Sequence, residues 1–440
     1  MGRASKVVSI GASVRAPERP RHLPPVIVLN LFHTGLGIVR QLAGTGIRVV
    51  GLSADSHIYG NYSRLCEVRF APNSQEQPQE LADFLMAAAS DLQGSVIFPT
   101  RDADLLFLDC FRVQLSRWYK LAIPSTSVLQ SILDKSVLTQ RAEAAGVSVP
   151  RAVILKGRSE LKSAAEAVGF PSVIKPIRSI EWRRGRNWQA VGGRKAFRVN
   201  SMLELDREYA RISRIRADMM LQEWIPGKTD RILVWGGYVS RRGGALTYFT
   251  ARKLVQSPED FGTGCVVENT CLPQLLEPTI TLCRSLGYTG IAEIEYKRDP
   301  RDGKNKLIEI NPRHWDWHQL GAASGVNITR AAYGDLIGDP TPIMLPVQQK
   351  RTTKWVAEDT FITQALARLS ERSVNPGKVW KQLAGKRMYS IFSWHDPMPL
   401  VRYSIQELLP FLLRSGMRKL LQQPPTLTRT KSMPLLISEQ

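Results

Sequence analysis

Past residue 24 the chain opens on a short, mainly apolar run, Val26-Ile27-Val28-Leu29-Asn30-Leu31, which reads as a buried strand. Gly35 and Gly37 follow. Leu36, Val39, Leu42 and Ala43 then recur at helical spacing until Gly44 and Gly46 stop the helix. Residues 48–53, 95–99 and 121–124 read as further strands. Strands alternating with helices over residues 25–125 predict a Rossmann-like parallel α/β domain.

From residue 126 the pattern changes. Ser125 is placed to cap a helix carrying Leu129, Ile132, Leu133, Val137 and Leu138, with Lys135 on it. Strands at 152–155 and 172–176 bracket a helix that begins near Ser159, and Ser201 with Glu204 forms a capping box opening another. Longer strand-like stretches follow at 219–225, 231–240, 246–255, 291–298 and 306–311, joined by short polar turns such as 300–304. They predict an α+β unit over 126–340, an antiparallel sheet with helices on one side. Residues 341–423 read as a small helical C-terminal region. In it Ile405, Leu408, Leu409, Leu412 and Leu413 mark an amphipathic helix over about 402–421, with Arg414, Arg418 and Lys419 near its end. Residues 1–24, basic and without periodicity, predict a disordered tail, and 424–440 a second loose one.

Composition narrows the class. The 440 residues are 43% hydrophobic and 22% charged, an ordinary globular balance. No apolar run approaches the ~20 residues of a membrane span, so a cytoplasmic enzyme is expected. Cys66, Cys110, Cys265, Cys271 and Cys283 are scattered without zinc spacing. The formal net charge of +21 favours anionic partners. No zinc-finger or aromatic ribonucleoprotein motif accompanies it, so nucleic acid is not expected. Peripheral membrane contact through the 402–421 helix is the less favoured alternative to packing of that helix on the core. A homo-oligomer is left open.

The richest chemistry lies near residues 291–313. Side chains alternate along a strand, so Glu293 and Glu295 share one face, and Leu307, Glu309, Asn311 and Arg313 share a face of the next strand. Pairing through the intervening Asp-Gly turn would gather carboxylates and an amide oxygen into a hard-oxygen cage suited to Mg²⁺. Spacing alone leaves a second reading open, a solvated strand face with salt bridges to Lys297 and Arg313.

Gly290-Ile-Ala-Glu-Ile-Glu-Tyr and Leu307-Ile-Glu-Ile-Asn-Pro-Arg313 resemble the metal-binding end of the ATP-grasp superfamily. The segments Ser131–Lys135, Phe170–Pro176 and Gln222–Gly227 resemble, in the family's order, its first phosphate lysine, its second, and its adenine hinge. The resemblance spans about 125–335 and implies a two-subdomain ATP-grasp fold following the Rossmann-like domain. It implies phosphate contacts from Lys135 and Lys175, adenine contacts through the backbone of Glu223 and Ile225, and a ribose partner in Asp230. Glu295, Glu309 and Asn311 would bind Mg²⁺, with Mn²⁺ as a substitute. Arg313 would stabilise the transferring phosphate, and either Arg252 or Lys253 would supply a further cation. Segment 177–195, with Gly185, Gly192, Gly193, Arg183, Arg184, Arg186 and Arg194, would be the mobile loop over the phosphates. Residues Lys253–Pro258 and Asp260–Gly264 are similar to a bacterial subgroup of carboxylate–amine ligases, which implies ATP, an acyl phosphate, and small-molecule carboxylate and amine substrates. The alternatives are a bicarbonate-using carboxylase of the same superfamily, or a nucleotide-binding regulator without turnover.

Two other motifs are weaker. Gly35-Leu-Gly37 lacks the third glycine of a dinucleotide fingerprint, Arg40 standing in its place. His33, Arg101 and Asp102, at strand ends of this domain, are instead candidates for binding the acid or the acceptor. His314-Trp-Asp-Trp-His318 has histidines four apart but no zincin glutamate, so it is expected to wall the acyl-phosphate pocket rather than to hold zinc.

Overall fold

The computed structural model describes residues 23–183, 185–241, 246–339, 352–361, 377 and 382–411. Residues 1–22, the 424–440 tail and the second half of the predicted 402–421 helix lie outside the described residues.

Strands β1 (Val26–Leu29), β2 (Val49–Ser53), β3 (Glu67–Phe70), β4 (Val96–Phe98) and β5 (Lys120–Leu121) form a parallel sheet in the order β3-β2-β1-β4-β5. Helices α1 (His33–Leu42) and α2 (Asp102–Cys110) leave the carboxyl ends of β1 and β4, the edge at which such sheets place ligands. The Gly35-Leu-Gly37 glycines serve packing. A Cβ on Gly35 would lie 1.9 Å from the Asn30 carbonyl oxygen, and one on Gly37 would lie 2.7 Å from the His318 ring.

The expected single helix through Lys135 is two helices, α3 (Thr126–Leu133) and α4 (Lys135–Ala144). Asp134 breaks it, because its carboxylate accepts from the amides of Ser136 and Val137 and so caps a new helix. Lys135 thereby stands at the first turn of α4 rather than along a continuous face.

Strands β6 (Ala152–Leu155), β7 (Ser172–Pro176), β8 (Phe197–Val199) and β9 (Met219–Glu223) form an antiparallel sheet in the order β6-β9-β7-β8. Its core gathers Leu155, Ile174 and Leu221 with Leu161 and Ala165 of α5 (Leu161–Val168). Segment 177–195 contains α6 (Ser179–Arg183) and α7 (Asn187–Ala190) and enters the same core through Trp182, which lies 5.7 Å from the Phe197 ring. Helix α8 (Met202–Ile212) adds Leu205, Tyr209 and Ile212. Its cap is the expected Ser201, whose hydroxyl accepts from the Glu204 amide, but Glu204 reaches back to the Asn200 amide, one residue earlier than a capping box has it.

The third sheet holds β10 (Ile232–Val239), β11 (Leu246–Ser257), β12 (Thr263–Asn269), β13 (Gly290–Arg298), β14 (Asn305–Asn311), β15 (Thr353–Val356) and β16 (Lys386–Tyr389), in the order β14-β13-β10-β11-β12-β15-β16. The last two come from the region read as helical and extend the sheet past β12. On one face Leu233, Trp235, Ile294 and Ile310 pack with Leu138 and Ala142 of α4. On the other, Val234, Phe249 and Ala251 share a core with Val26, Val28, Ile38 and Val39 of the first domain. The large sheet and the first domain are thus packed as one body, whereas the small sheet keeps a core of its own. The expected 402–421 helix begins in α9 (Met398–Tyr403). There Leu400 and Tyr403 pack toward Leu36 and Tyr59, and Arg402 lies 4.0 Å over the Tyr62 ring. Among the described residues no helix is long and apolar enough to cross a membrane.

Candidate active site

The cleft between the small and large sheets collects the charged residues that the alternation pattern put on one face. In the β13–β14 pair Glu295 stands opposite Glu309, and Glu293 opposite Asn311. Asn311 Nδ2 donates to Glu293 Oε2 at 2.9 Å and to Glu309 Oε1 at 3.4 Å. The solvated-face reading fails here, because Glu293 is 4% exposed and Glu295 7%. Burial and the neighbouring Glu295 push the Glu293 carboxyl up to about 8. Burial also raises Glu295 against the pull of Lys253. Glu309 goes the other way. Burial works to protonate it, but Lys195, Lys253, Lys135 and Lys175 outweigh burial and hold it below the ordinary carboxylate range.

Four lysines therefore converge on this cluster from four segments. Lys175, on β7, donates to Gln222 Oε1 at 2.7 Å, and burial, with Lys135 nearby, pushes it down to about 7. Lys135 donates to Ser179 Oγ at 2.7 Å, and its amide donates to the Ile177 carbonyl, so the start of segment 177–195 is fastened to α4. Lys253 of β11 contacts Glu295 directly. Arg252 points to the opposite face, where its Nε and Nη2 both reach Glu268 Oε1, at 3.1 and 2.5 Å. Of these two cations, then, Lys253 is the one at the carboxylates. Lys195 went unnamed in the sequence. Largely exposed, it reaches across the cleft to Thr263 Oγ1 at 3.3 Å. Its position at the end of a basic loop was visible, but six basic residues crowd that segment and only the fold singles it out.

Arg313, just past β14, donates through Nε to Asp102 Oδ1 at 2.8 Å and through Nη1 to the His314 carbonyl at 2.9 Å. A cavity of about 270 Å³ opens beside it, lined by Asp102, Lys135, Ser179, Glu181, Glu309 and Asn311 among others. The remaining expected residues are spread more widely. The Glu223 amide is bonded to the Arg151 carbonyl at 2.8 Å, and its carboxylate takes Lys306 Nζ at 2.7 Å and Arg301 Nη2 at 3.3 Å. Its side chain is thus spent bracing β9 against β14. Ile225 is buried two residues on, and Asp230 is exposed with no ion pair among the described residues.

Three expectations for the first domain change. His33 Nε2 lies 3.3 Å from Asp359 Oδ2, just past β15, and Arg101 Nη2 donates to Asp104 Oδ1 of α2 at 2.9 Å. Asp102 faces two arginines. The His314–His318 segment does not wall the pocket. Both imidazoles are buried, 4.5 Å apart, with His318 pushed down to about 4 by burial, and Trp315 and Trp317 stack around Phe249 in the shared core. Its bulk fills the junction between the large sheet and α1.

A divalent cation fits the chemistry of the carboxylate cluster. Buried carboxylates that raise one another's affinity for protons are relieved by a bound cation. Among the described residues no group of three or more His, Cys, Asp or Glu is placed to hold a metal ion by itself. An open set of this kind suits Mg²⁺, which takes one or two carboxylates and completes its shell with water and phosphate oxygens.

No family model matches the chain. It is 22% identical over 287 residues to D-aspartate ligase of Enterococcus faecium, covering 63% of this chain and 68% of that protein. D-alanine–D-alanine ligase of Pseudomonas putida is 25% identical over 199 residues, 43% of this chain and 59% of that ligase, so less than two thirds of its length is matched. Biotin carboxylase of Campylobacter jejuni superposes with a TM-score of 0.59 at 18% identity, covering 74% of each chain. The chain has the ATP-grasp fold. The two ATP-grasp subdomains are the small sheet with α5–α8 and the large sheet with α4, and the parallel sheet is the domain that precedes them. In ATP-grasp terms, the four lysines and the β13–β14 carboxylates lie where the two subdomains face each other.

Proposed function

We propose that this chain is an ATP-dependent ligase that activates a carboxylate as an acyl phosphate and joins it to an amine, releasing ADP and phosphate. The observation that carries the reading is the convergence of Lys135, Lys175, Lys195 and Lys253 on a half-buried Glu309. Four ammonium groups around one ionised carboxylate leave an excess of positive charge that a polyphosphate neutralises. Lys135 and Lys175 hold the α- and β-phosphates, the backbone of Glu223 and Ile225 meets the adenine, and Asp230 meets the ribose. Glu295, Glu309 and Asn311 hold Mg²⁺, or Mn²⁺ in its place, with Glu293 as a neighbour that the fold adds to the set. A metal held there would neutralise charge on the phosphates during phosphoryl transfer.

The side chains contribute by orientation and charge, since phosphoryl transfer asks little covalent chemistry of a protein. Lys253, tied to Glu295, and Lys195, reaching from segment 177–195, present cations from opposite sides of the cleft. The Arg313 guanidinium stabilises the oxygens of the transferring group and then of the tetrahedral intermediate. Segment 177–195 excludes water, which protects an acyl phosphate from hydrolysis.

The amine-ligase reading is favoured over a bicarbonate-using carboxylase because the sequence relatives are named as ligases of amino acids, whereas the carboxylase likeness is one of fold. The test is hydroxylamine trapping with MgATP over a panel of carboxylic acids. A hydroxamate formed together with ADP is expected. Acid-stimulated ADP release without hydroxamate would overturn the acyl phosphate, and ADP release driven by bicarbonate alone would favour the carboxylase.

A further inference from the structure

Asp102 opens α2 at the carboxyl edge of the first domain, outside both ATP-grasp subdomains, yet its two oxygens are taken by arginines from different parts of the cleft. Oδ1 accepts from Arg313 Nε at 2.8 Å and Oδ2 from Arg183 Nη1 at 3.3 Å. Arg313 follows β14, and Arg183 ends α6 inside segment 177–195. The carboxylate and the Arg313 side chain are each 13% exposed. Burial works to protonate Asp102, but Arg313 and Arg183 outweigh it and hold the carboxyl well below the ordinary range. One ionised carboxylate thus ties its own segment to two others, 81 and 211 residues away along the chain.

The geometry at Arg313 gives this junction a consequence. Nε is taken by Asp102 and Nη1 by the His314 carbonyl, so the planar fork is fixed at two of its three nitrogens. Nη2 has no partner among the described residues. Both oxygens of Asp102 are spent in the same arrangement, so it has little capacity left to bind a substrate. We propose that Asp102 is a positioning residue: it orients Arg313 so that Nη2 faces the phosphoryl-transfer site, and through Arg183 it latches segment 177–195 to the first domain when the cleft is shut.

This rests on the ligase reading for its kinetic consequence, though not for the latch. Asp102→Asn keeps the shape and removes the charge that grips both guanidinium groups. Asp102→Glu restores the charge at the cost of one methylene. Two measurements are paired on the full chain. With MgATP and an acid–amine pair found by screening, kcat for ADP release should fall about 10- to 100-fold in Asp102→Asn while the KM for ATP stays near wild type. Asp102→Glu should recover part of the loss. With MgATP alone, trypsin cleavage within segment 177–195 should be faster in Asp102→Asn than in wild type, with Arg183→Gln matching it and the double variant adding little.

If the wild type turns over but Asp102→Asn has an unchanged kcat, the positioning role is overturned. Equal trypsin rates in wild type and both single variants would overturn the latch. If the wild type shows no turnover on any acid, it is the ligase reading that fails, and the trypsin arm still decides the latch. A uniform loss of Tm, with KM for ATP and kcat falling together and no recovery in Asp102→Glu, would mean a merely structural residue and overturn the proposal.

Discussion

Glu309→Gln removes one charge and almost no volume from the centre of the cleft. Burial works to protonate Glu309, yet four lysines hold it ionised, so its charge is the one they share. No neighbour can replace it. Glu295 already engages Lys253, and burial beside Glu295 pushes the Glu293 carboxyl up, so it is poorly placed to carry a charge. A unit charge at about 4 Å is worth roughly 4 kcal/mol at an effective dielectric of about 20. The carboxamide oxygen that remains can still ligate a metal, which reduces the loss to about 3 kcal/mol, or about 10²-fold in rate. ADP release at saturating MgATP should therefore fall by at least about 10²-fold, with the far-UV circular dichroism spectrum kept. Raising Mg²⁺ should recover little of it, since the loss is of charge in the transition state as well as of metal affinity. Near-normal turnover with saturating substrates would refute the reasoning.

Binding of MgATP at pH 8 should take up about one proton. Burial depresses Lys175 to about 7, and phosphates close to it raise it again. The sign for folding follows from the same shift. Between that value and the ordinary lysine range the unfolded chain holds more protons, so the ligand-free protein gains stability as pH rises through that window. Calorimetry in buffers of different ionisation enthalpy reads the uptake, and a binding enthalpy independent of buffer would contradict it. Glu223→Gln should destabilise the fold by about 1–3 kcal/mol in urea unfolding, because Lys306 and Arg301 lose the buried carboxylate they share. An unchanged midpoint would show that Asp299, which also takes both cations, suffices alone. Trp182→Ala empties a fully buried site in the small-sheet core and should cost about 3–5 kcal/mol. If segment 177–195 opens separately from the rest, trypsin cleavage in it should rise while the global Tm moves less. Unchanged cleavage would mean that Trp182 does not anchor the segment.

Where a local rule and the tertiary structure coincide, the residues alone were informative. The β13–β14 pair was legible because period-two alternation puts Glu293 and Glu295, and Glu309 and Asn311, on single faces, and an Asp-Gly turn joins the strands. The parallel first domain was legible from short apolar runs alternating with helical spacing, and the α8 cap from Ser201. The sequence could also place Lys135 and Lys175 on the right segments. It could not say that Asp134 restarts the helix at Lys135, because helical spacing continues through the break and only the capping geometry ends one helix and begins the next. Nor could it rank Lys195 among the basic residues of segment 177–195, choose Lys253 over Arg252, or find β15 and β16, since each depends on which surface the chain meets across a long loop. Asp102 and the His314–His318 aromatics were visible as residues, but the one was assigned to acid or acceptor binding and the others to the wall of the acyl-phosphate pocket. Their partners, Arg183 and Arg313 for the one and Phe249 and Gly37 for the others, lie far away in sequence. Local chemistry sets which groups a segment can offer, and only long-range packing decides which of them face one another.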